Sequence, residues 1–459
     1  MVVVSWTGHP MGEKNNKKQR RRQMFEEGID FSQVKLERSD ENVTGKIGLS
    51  WIVHSLKHFG MEGMIKRFEK EPKSNREIKK NRKIIAGALT IISGGDKIED
   101  VENLRVDRGL LKSLGWKDIV AADTLRDFIR NKRNSGVIRK TNELLAIKAM
   151  RESELKEFTY DNDATYFDSE KDSAEYSYQK SLQFSGLLGF ISELGICNTA
   201  EFRKGNISPS TGILNQLRKA RQQARKAGKR IRRFRSDSAA HQNSLFRECR
   251  ENGIKYFISL DKNASIKEII KKEKEANWKE LSGKYEEQVA TQWREDIYVT
   301  NKGESMRILI LRWKKKEVTL FDESPYNYHV IGTNDDEVKP MDWLEIHNGR
   351  MNSENYNKEL KNGFNCDYTP SHNYDMNRGY FLMSIIAYNM VQITKLFYLD
   401  DKSARKWTIK TLRYRFINIC GKMIKTGRRY ICKIINVTEL TYDLYRSCKS
   451  KLIIQSSLC

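Results

Sequence analysis

Apolar residues recur at intervals of three and four across residues 45–150. Leu49, Trp51, Ile52, Leu56, Phe59 and Met64 make one run. Residues 84–92 make a second, which stops at Ser93-Gly94-Gly95, and Leu104, Leu110, Leu111 and Leu114 make a third. That period is the apolar stripe of a helix facing a core. Ala122-Asp123-Thr124-Leu125 reads as a cap opening a helix over 124–133. From Phe158 the pattern shortens. Residues 158–163 alternate as a strand ending in acidic residues, and 182–191 and 196–202 read as two more strands. A basic helix is expected over 210–226, a strand over 229–237, a helix over 241–252 and a strand over 254–260. Residues 262–290 are charged and helical in pattern. Strands return at 297–299, 306–313, 318–321 and 328–331. A helix resumes near Arg350, and a long, largely buried one covers 380–399. Strands alternating with helices describe an α/β sheet layered by helices.

Composition narrows the partners. The 459 residues contain 84 Lys and Arg against 60 Asp and Glu, a net charge of +24. A polyanion is therefore expected, either nucleic acid or an anionic membrane. No stretch reaches the ~20 apolar residues of a spanning helix, so no membrane is expected. The opening Met1-Val-Val-Val-Ser-Trp6 is too short and wrongly flanked for a signal peptide. The seven cysteines are scattered without a CxxC pair, which argues against structural zinc and for free thiols in a reducing cytosol. Lys17, Lys18, Arg20, Arg21 and Arg22 form a charge block that cannot pack. Arg218, Arg221 and Arg225 line the basic helix as candidate DNA contacts. The segment beyond 402 interleaves Arg and Lys with Trp407, Tyr414, Phe416 and Tyr430, and is a further candidate contact.

Three carboxylates stand out by position. Asp163 is expected at the end of the first strand, although Asp161 competes for the role. Asp237 ends a later strand before the small-residue turn Ser238-Ala-Ala240. Glu354 lies in His347-Asn-Gly-Arg350-Met-Asn-Ser-Glu354-Asn-Tyr-Asn-Lys358-Glu-Leu-Lys361. On a helix, Arg350, Glu354, Lys358 and Lys361 share one face. Taken alone, that pattern is also what a solvated, salt-bridged face looks like. Carboxylates gathered at strand ends repel one another, and a bound cation relieves the repulsion. Oxygen-only ligation favours Mg²⁺ or Mn²⁺.

In order along the chain, these motifs resemble those of bacterial insertion-sequence DDE transposases carrying the Tyr–Arg–Glu–Lys signature. Tyr160-Asp-Asn-Asp163-Ala164-Thr165 matches the first motif. Arg203-Lys-Gly205-Asn206 stands where the family has Arg-Pro-Gly-Asn, and Phe234-Arg-Ser-Asp237-Ser238 matches the second motif. Arg350, Glu354 and Lys361 fit the signature spacing, with His347 in the Tyr position, and Ala387-Tyr-Asn389 follows. The likeness covers roughly 155–400 and, more loosely, 45–150.

The resemblance implies an RNase H-like α/β core, a mixed sheet flanked by helices and interrupted by a β-rich insertion. An N-terminal helical domain and a basic helical C-terminal region flank that core. The expected division is a flexible arm over 1–44, a helical DNA-binding domain over 45–150, core over 151–262, insertion over 263–340, core again over 341–400, and the basic region over 401–459. It implies that Asp163, Asp237 and Glu354 are catalytic and hold two Mg²⁺ ions, with Mn²⁺ as a substitute. His347, Arg350, Lys358 and Lys361 would contact DNA. Trp293 and Trp313 are candidates to stack a flipped base, set against an ordinary place in the core. The implied activity is binding of inverted-repeat ends, hydrolysis of the end phosphodiester and transfer of the 3′-OH to target DNA. The implied assembly is a homodimer on double-stranded DNA in the bacterial cytoplasm, at the nucleoid. The alternatives are a metal-dependent nuclease without strand transfer, or a decayed DNA-binding derivative.

Overall fold

Runs of period three and four fold as helices and runs of period two as strands. The computed structural model describes residues 32, 34–68, 78–272, 274–281, 292–319 and 324–456. The chain divides into two units, Met1–Glu41 and Asn42–Cys459. The basic block at 17–22 lies outside the described residues; in the first unit, 34–41 are exposed and carry no helix or strand. Every element below belongs to the second unit.

A short strand, β1 (Val43–Thr44), leads into α1 (Ile47–His58), α2 (Met61–Lys66), α3 (Lys80–Ser93), α4 (Val101–Arg105), α5 (Arg108–Leu114), α6 (Ala122–Arg130) and α7 (Lys132–Glu152). The glycine stop works as expected: Gly94 takes a φ of 99° and ends α3. The helix expected over 124–133 instead breaks at Asn131. Its side chain accepts a hydrogen bond from the Arg133 N–H and starts α7.

The sheet follows with β2 (Glu157–Asp168), β3 (Glu175–Tyr176), β4 (Leu182–Ile191), β5 (Ile196–Lys204), α8 (Ile213–Lys226), β6 (Arg230–Ser236), α9 (Asn243–Glu251) and β7 (Lys255–Ser259). Then come α10 (Ala264–Lys272), β8 (Lys279–Glu280), β9 (Gln292–Val299), β10 (Ser305–Lys314) and β11 (Tyr326–Thr333). Strand β4 pairs antiparallel with both β5 and β2, whereas β2, β6 and β7 are mutually parallel. Among the described residues, the strands of 263–340 form no sheet of their own. β11 pairs antiparallel with β7, and β10, β9 and β8 continue the same sheet outward. The fold is thus mixed α/β around one mixed sheet. Two expectations change here. Helix in 262–290 is limited, among the described residues, to α10 and a single 3-10 turn at Glu275–Asn277, with 273 and 282–290 outside them. Of the strand expected over 318–321, Val318 and Thr319 are in a loop and 320–321 are not described.

The two faces of the sheet carry different helices. Asn162 Nδ2 donates to Gln216 Oε1 on α8 (2.9 Å), and Gln216 Nε2 donates to the Leu187 carbonyl (3.1 Å). Residues one step along β2 therefore face the other side. That side receives α11 (Pro340–Asn348) and α12 (Met351–Phe364). The long α13 (Tyr374–Phe397) then runs through the core and packs on α3, α6, α7 and β5. It crosses α6 so closely that a Cβ on Gly379 would sit 2.3 Å from the Ile129 carbonyl oxygen. No described helix is long and apolar enough to cross a membrane.

The C-terminal region holds α14 (Lys402–Lys406), α15 (Ile409–Leu412), a hairpin of β12 (Gly421–Thr426) and β13 (Arg429–Ile434), and α16 (Glu439–Ser456). A helical region was expected. The hairpin arises because Met423, Cys432 and Ile434 alternate with Lys422, Ile431 and Lys433, and Gly427 turns the chain at φ 58°. β12 also pairs with β1, so Val43 and Thr44, at the end of the expected arm, belong to this sheet.

One buried polar cluster ties α13 to α7 and β5. Asn389 Oδ1 accepts from the Cys197 N–H (3.0 Å), and its Nδ2 donates to Asn142 Oδ1 (2.6 Å) and the Cys197 carbonyl (2.7 Å). Asn389→Ala leaves the Cys197 N–H unpaired in the core, an expected loss of about 2–4 kcal/mol. Chemical denaturation reads it; an unchanged midpoint would show that the cluster contributes nothing net.

Candidate active site

The three carboxylates singled out in the sequence approach one another on the face under α12. Asn162 pairs with Ser236 across β2 and β6. The next residues in sequence are Asp163, still on β2, and Asp237, just past the end of β6, which places the two acids side by side. Asp163 is not at a strand end: β2 continues to Asp168 because β4 goes on pairing with it after β6 has stopped. It sits where the parallel pairing ends, which is the position that matters. Asp161, its competitor, is fully buried in a bidentate pair with Arg235, at 2.7 and 2.8 Å. That pair assigns Asp161 to the architecture.

Asp163 Oδ2 accepts a hydrogen bond from Asn357 Nδ2 on α12 (2.9 Å). Burial, helped by the Asp237 charge, raises the Asp163 carboxyl to about 6; Arg350 opposes the shift and Glu354 adds to it. Asp237 is also raised, by burial first. The Ala239 N–H and Arg350 hold it down, and Asp261 pushes it up. Glu354, in the first turn of α12, is paired with Arg350 at 2.7 Å. Arg350, the residue that precedes α12, pairs with Glu354 and also draws down Asp163 and Asp237.

Arg235 fixes this arrangement. Besides Asp161, its guanidinium donates to Ser192 Oγ (2.7 Å) and to the Ile346 carbonyl near the end of α11 (2.8 Å). The next turn must therefore pass very close. A Cβ on Gly349 would lie 2.0 Å from the guanidinium.

The signature residues divide. His347 belongs to α11 and not to the helix of Glu354, and it is buried at 4% exposure. Its Nε2 shares Ser259 Oγ with His329 Nε2, at 3.2 and 3.0 Å. Burial, then His329, Arg350 and Arg235, hold its pKa well below the ordinary value. It is a neutral interior group here. Lys361 donates to the Tyr166 carbonyl (3.0 Å) and lies over the Phe167 ring, while Lys358 is exposed. On α8, Arg218 and Arg221 are both claimed by the buried Glu248, the first at 2.7 Å; Arg225 is exposed. Trp293 and Trp313 pack against a second apolar cluster with Leu309, Leu311 and Trp343.

Several residues at the site carried little sequence signal. Asn357 is three residues after Glu354, the helical spacing that gives it the same face. Asp261, Ser259 and His329 line a cleft of about 340 Å³ together with Asp237, Ser238 and Lys262. A larger cleft of about 500 Å³ lies among α7, β5, α8 and α13 and includes none of these acids. Among the described residues, no three His, Cys, Asp or Glu side chains are already close enough to hold a metal ion. The donor chemistry nevertheless fits a hard divalent cation. Two adjacent, half-buried carboxylates are held above their ordinary range, and a cation stabilises their charged forms.

Two predictions follow from this geometry. Because the folded Asp163 pKa is raised from 3.8 to about 6, its ionisation opposes folding as pH rises across that interval. Asp163→Asn should therefore be more stable than wild type at neutral pH in metal-free buffer. The difference should vanish at pH values below 3.8. A variant less stable at neutral pH would mean that attraction to Arg350 outweighs burial. Gly349→Ala must displace Arg235 from its hydrogen bonds, and about 2–4 kcal/mol of stability should be lost; wild-type thermal stability would refute the packing argument.

Similar solved structures include the cryo-EM structure of the piggyBac transposase synaptic complex with hairpin DNA. It aligns at a TM-score of 0.45 and 10% identity, over 81% of this chain and 78% of that chain. No curated protein matches the sequence. The family described as Transposase DDE domain group 1 matches residues 27–453. With its acids converging as described, and that match spanning nearly the whole length, the chain belongs to the DDE transposase family.

Proposed function

We propose that the protein is a cut-and-paste DNA transposase of the insertion-sequence type with a Tyr–Arg–Glu–Lys signature, here carrying His347 at the Tyr position. The observation that carries this reading is the convergence of Asp163, Asp237, Glu354 and Arg350, from three distant segments, on one face of the sheet. The order β5–β4–β2–β6–β7, antiparallel and then parallel, supports an RNase H-like core, with β8–β11 as its insertion. The partners are double-stranded transposon ends and target DNA, held by a homodimer.

Asp163 and Asp237 would hold Mg²⁺, with Glu354 joining them from α12. The bound ions would supply charge neutralisation at the phosphate and a lowered pKa for the attacking hydroxyl. Asn357 orients the Asp163 carboxylate through its hydrogen bond. Arg350, bound to Glu354 in this state, has the planar guanidinium suited to a phosphate, so a DNA end competes with Glu354 for it. In the first step water adds to the end phosphorus and the 3′-oxygen leaves with a proton as 3′-OH, while the phosphate stays on the 5′ side. In the second step that 3′-OH attacks a target phosphodiester. One phosphoester bond forms as one breaks, so no external energy source is needed.

Incubating the protein with labelled end DNA and a target plasmid, with and without Mg²⁺, tests this. Cleavage and covalent joining are expected only with the metal. Asp237→Ala should retain end binding and lose cleavage by at least about a thousandfold, the scale of removing a group central to the transition state. Cutting by that variant would refute the site assignment, and cutting without joining would leave a nuclease.

A further inference from the structure

The C-terminal hairpin presents a surface that the carboxylate site does not use. Between residues 402 and 438 the chain has eleven Lys or Arg and no Asp or Glu. Some of these cations are engaged internally. Arg413 donates to the Ile91, Ile92 and Gly363 carbonyls, and so caps the ends of α3 and α12 (2.6–2.8 Å). Arg405 donates to the Leu399 carbonyl and Arg415 lies over Trp407. The hairpin cations Lys425, Arg428, Arg429 and Lys433 are exposed and make no ion pair with any described residue.

The register shows how they are displayed. Lys422 lies opposite Lys433, Ile424 opposite Ile431, and Thr426 opposite Arg429, all on one face. The other face carries Met423, Cys432 and Ile434, which pack on the core. Lys425 and Tyr430 share that second face nearer the tip, both exposed. Exposed cations on β12 (Lys425), in the turn (Arg428) and on β13 (Arg429 and Lys433) offer a polyanion point charges along the hairpin.

We infer that the β12–β13 hairpin is a contact for the sugar-phosphate backbone of duplex DNA, independent of base sequence and separate from the carboxylate site. This rests on the reading of the protein as a DNA enzyme. Strands of six residues span about 20 Å, and a two-stranded ribbon matches a groove about 12 Å wide. Residues 419–435 contain no Asn, Gln, Asp or Glu. The side chains that most often read adenine and cytosine edges are therefore absent, while lysine serves as a point charge for phosphate.

The test compares the full-length protein with Lys425→Ala/Arg428→Ala/Arg429→Ala/Lys433→Ala on duplexes of end and scrambled sequence, over a range of salt. A control with the same charge loss, Lys156→Ala/Lys267→Ala/Lys302→Ala/Lys339→Ala, uses exposed lysines outside the helical domain and the hairpin. Circular dichroism confirms that both variants fold. For the hairpin variant, the slope of log affinity against log salt should shrink by about 3–4, one step per lost phosphate contact. Affinity for both duplexes should fall together, by at least about tenfold at physiological salt. The control should stay within about twofold of wild type. An unchanged slope, an equal loss in the control, or a loss confined to the end sequence would each overturn the inference. So would a variant that lost binding to anionic phosphatidylserine vesicles but kept its duplex affinity. If the wild type bound no duplex at all, the DNA reading itself would fail first. Intact wild-type binding with an unmoved hairpin slope would sink only the hairpin.

Discussion

The Arg235 side chain is the constraint on which the candidate site depends. It is 7% exposed, rises from β6 and reaches three other parts of the chain. These are Asp161 on β2, Ser192 after β4 and the Ile346 carbonyl at the end of α11. A buried guanidinium demands that its hydrogen bonds be met, and removing one charged partner from such a pair costs about 3–5 kcal/mol. The sheet and the α11–α12 corner cannot drift apart without exposing that cost. Since Arg350 and Glu354 begin immediately beyond the corner, the same interaction sets where they stand relative to Asp163 and Asp237. The close passage of Gly349 is the steric side of the same constraint.

Once held there, the acids are in conflict. Asp163 and Asp237 are both raised by burial, and the charges of neighbouring acids add to it. Arg350 is the local answer, but one guanidinium cannot saturate three carboxylates while paired with one of them. A site of this kind is poised for added positive charge. It also contains a group, Arg350, that added charge would release. The neutral His329–Ser259–His347 cluster contributes no compensating charge, because burial holds both rings below their ordinary pKa. The electrostatics thus point outward, toward a cation and a phosphate.

Much of this was legible in the sequence. Alternation located β4, β5, β6, β7 and β10 to within a few residues, and the turn after Asp237 and the Arg350–Glu354–Lys361 spacing drew attention to the right acids. What stayed hidden depends on contacts between distant segments. Asp163 read as a strand end because Asp-Asn-Asp is polar, yet β4 pairs with five residues beyond it. No local pattern says that Asn357 reaches Asp163, 194 residues away. Nor does any local pattern say that Glu248, from the next helix, occupies Arg218 and Arg221. The strands of 263–340 looked like a separate insertion because strand pairing partners are not encoded in periodicity. The hairpin was obscured by its cations, whose composition resembles a solvated helix unless the two-residue period is followed.

These cases share a physical distinction between cations that the fold has used and cations that it has not. A net charge of +24 does not by itself locate a binding surface. Arg235, Arg312 and Arg413 are positive charges employed inside. Arg312 is buried at 3% exposure between Trp278 and Tyr326, with Glu275 across it. On α8, the sequence pattern marks a basic stripe of which Glu248 occupies Arg218 and Arg221 and leaves Lys219, Arg225 and Lys226 exposed. At the hairpin the composition is less concentrated, yet Lys425, Arg428, Arg429 and Lys433 are exposed and pair with no described carboxylate. A polyanion gains most where the folded chain has left its cations unused. By that criterion the hairpin, and the Arg350 corner once its carboxylate is drawn away, are anchors, whereas Arg218 and Arg221 are already engaged by Glu248.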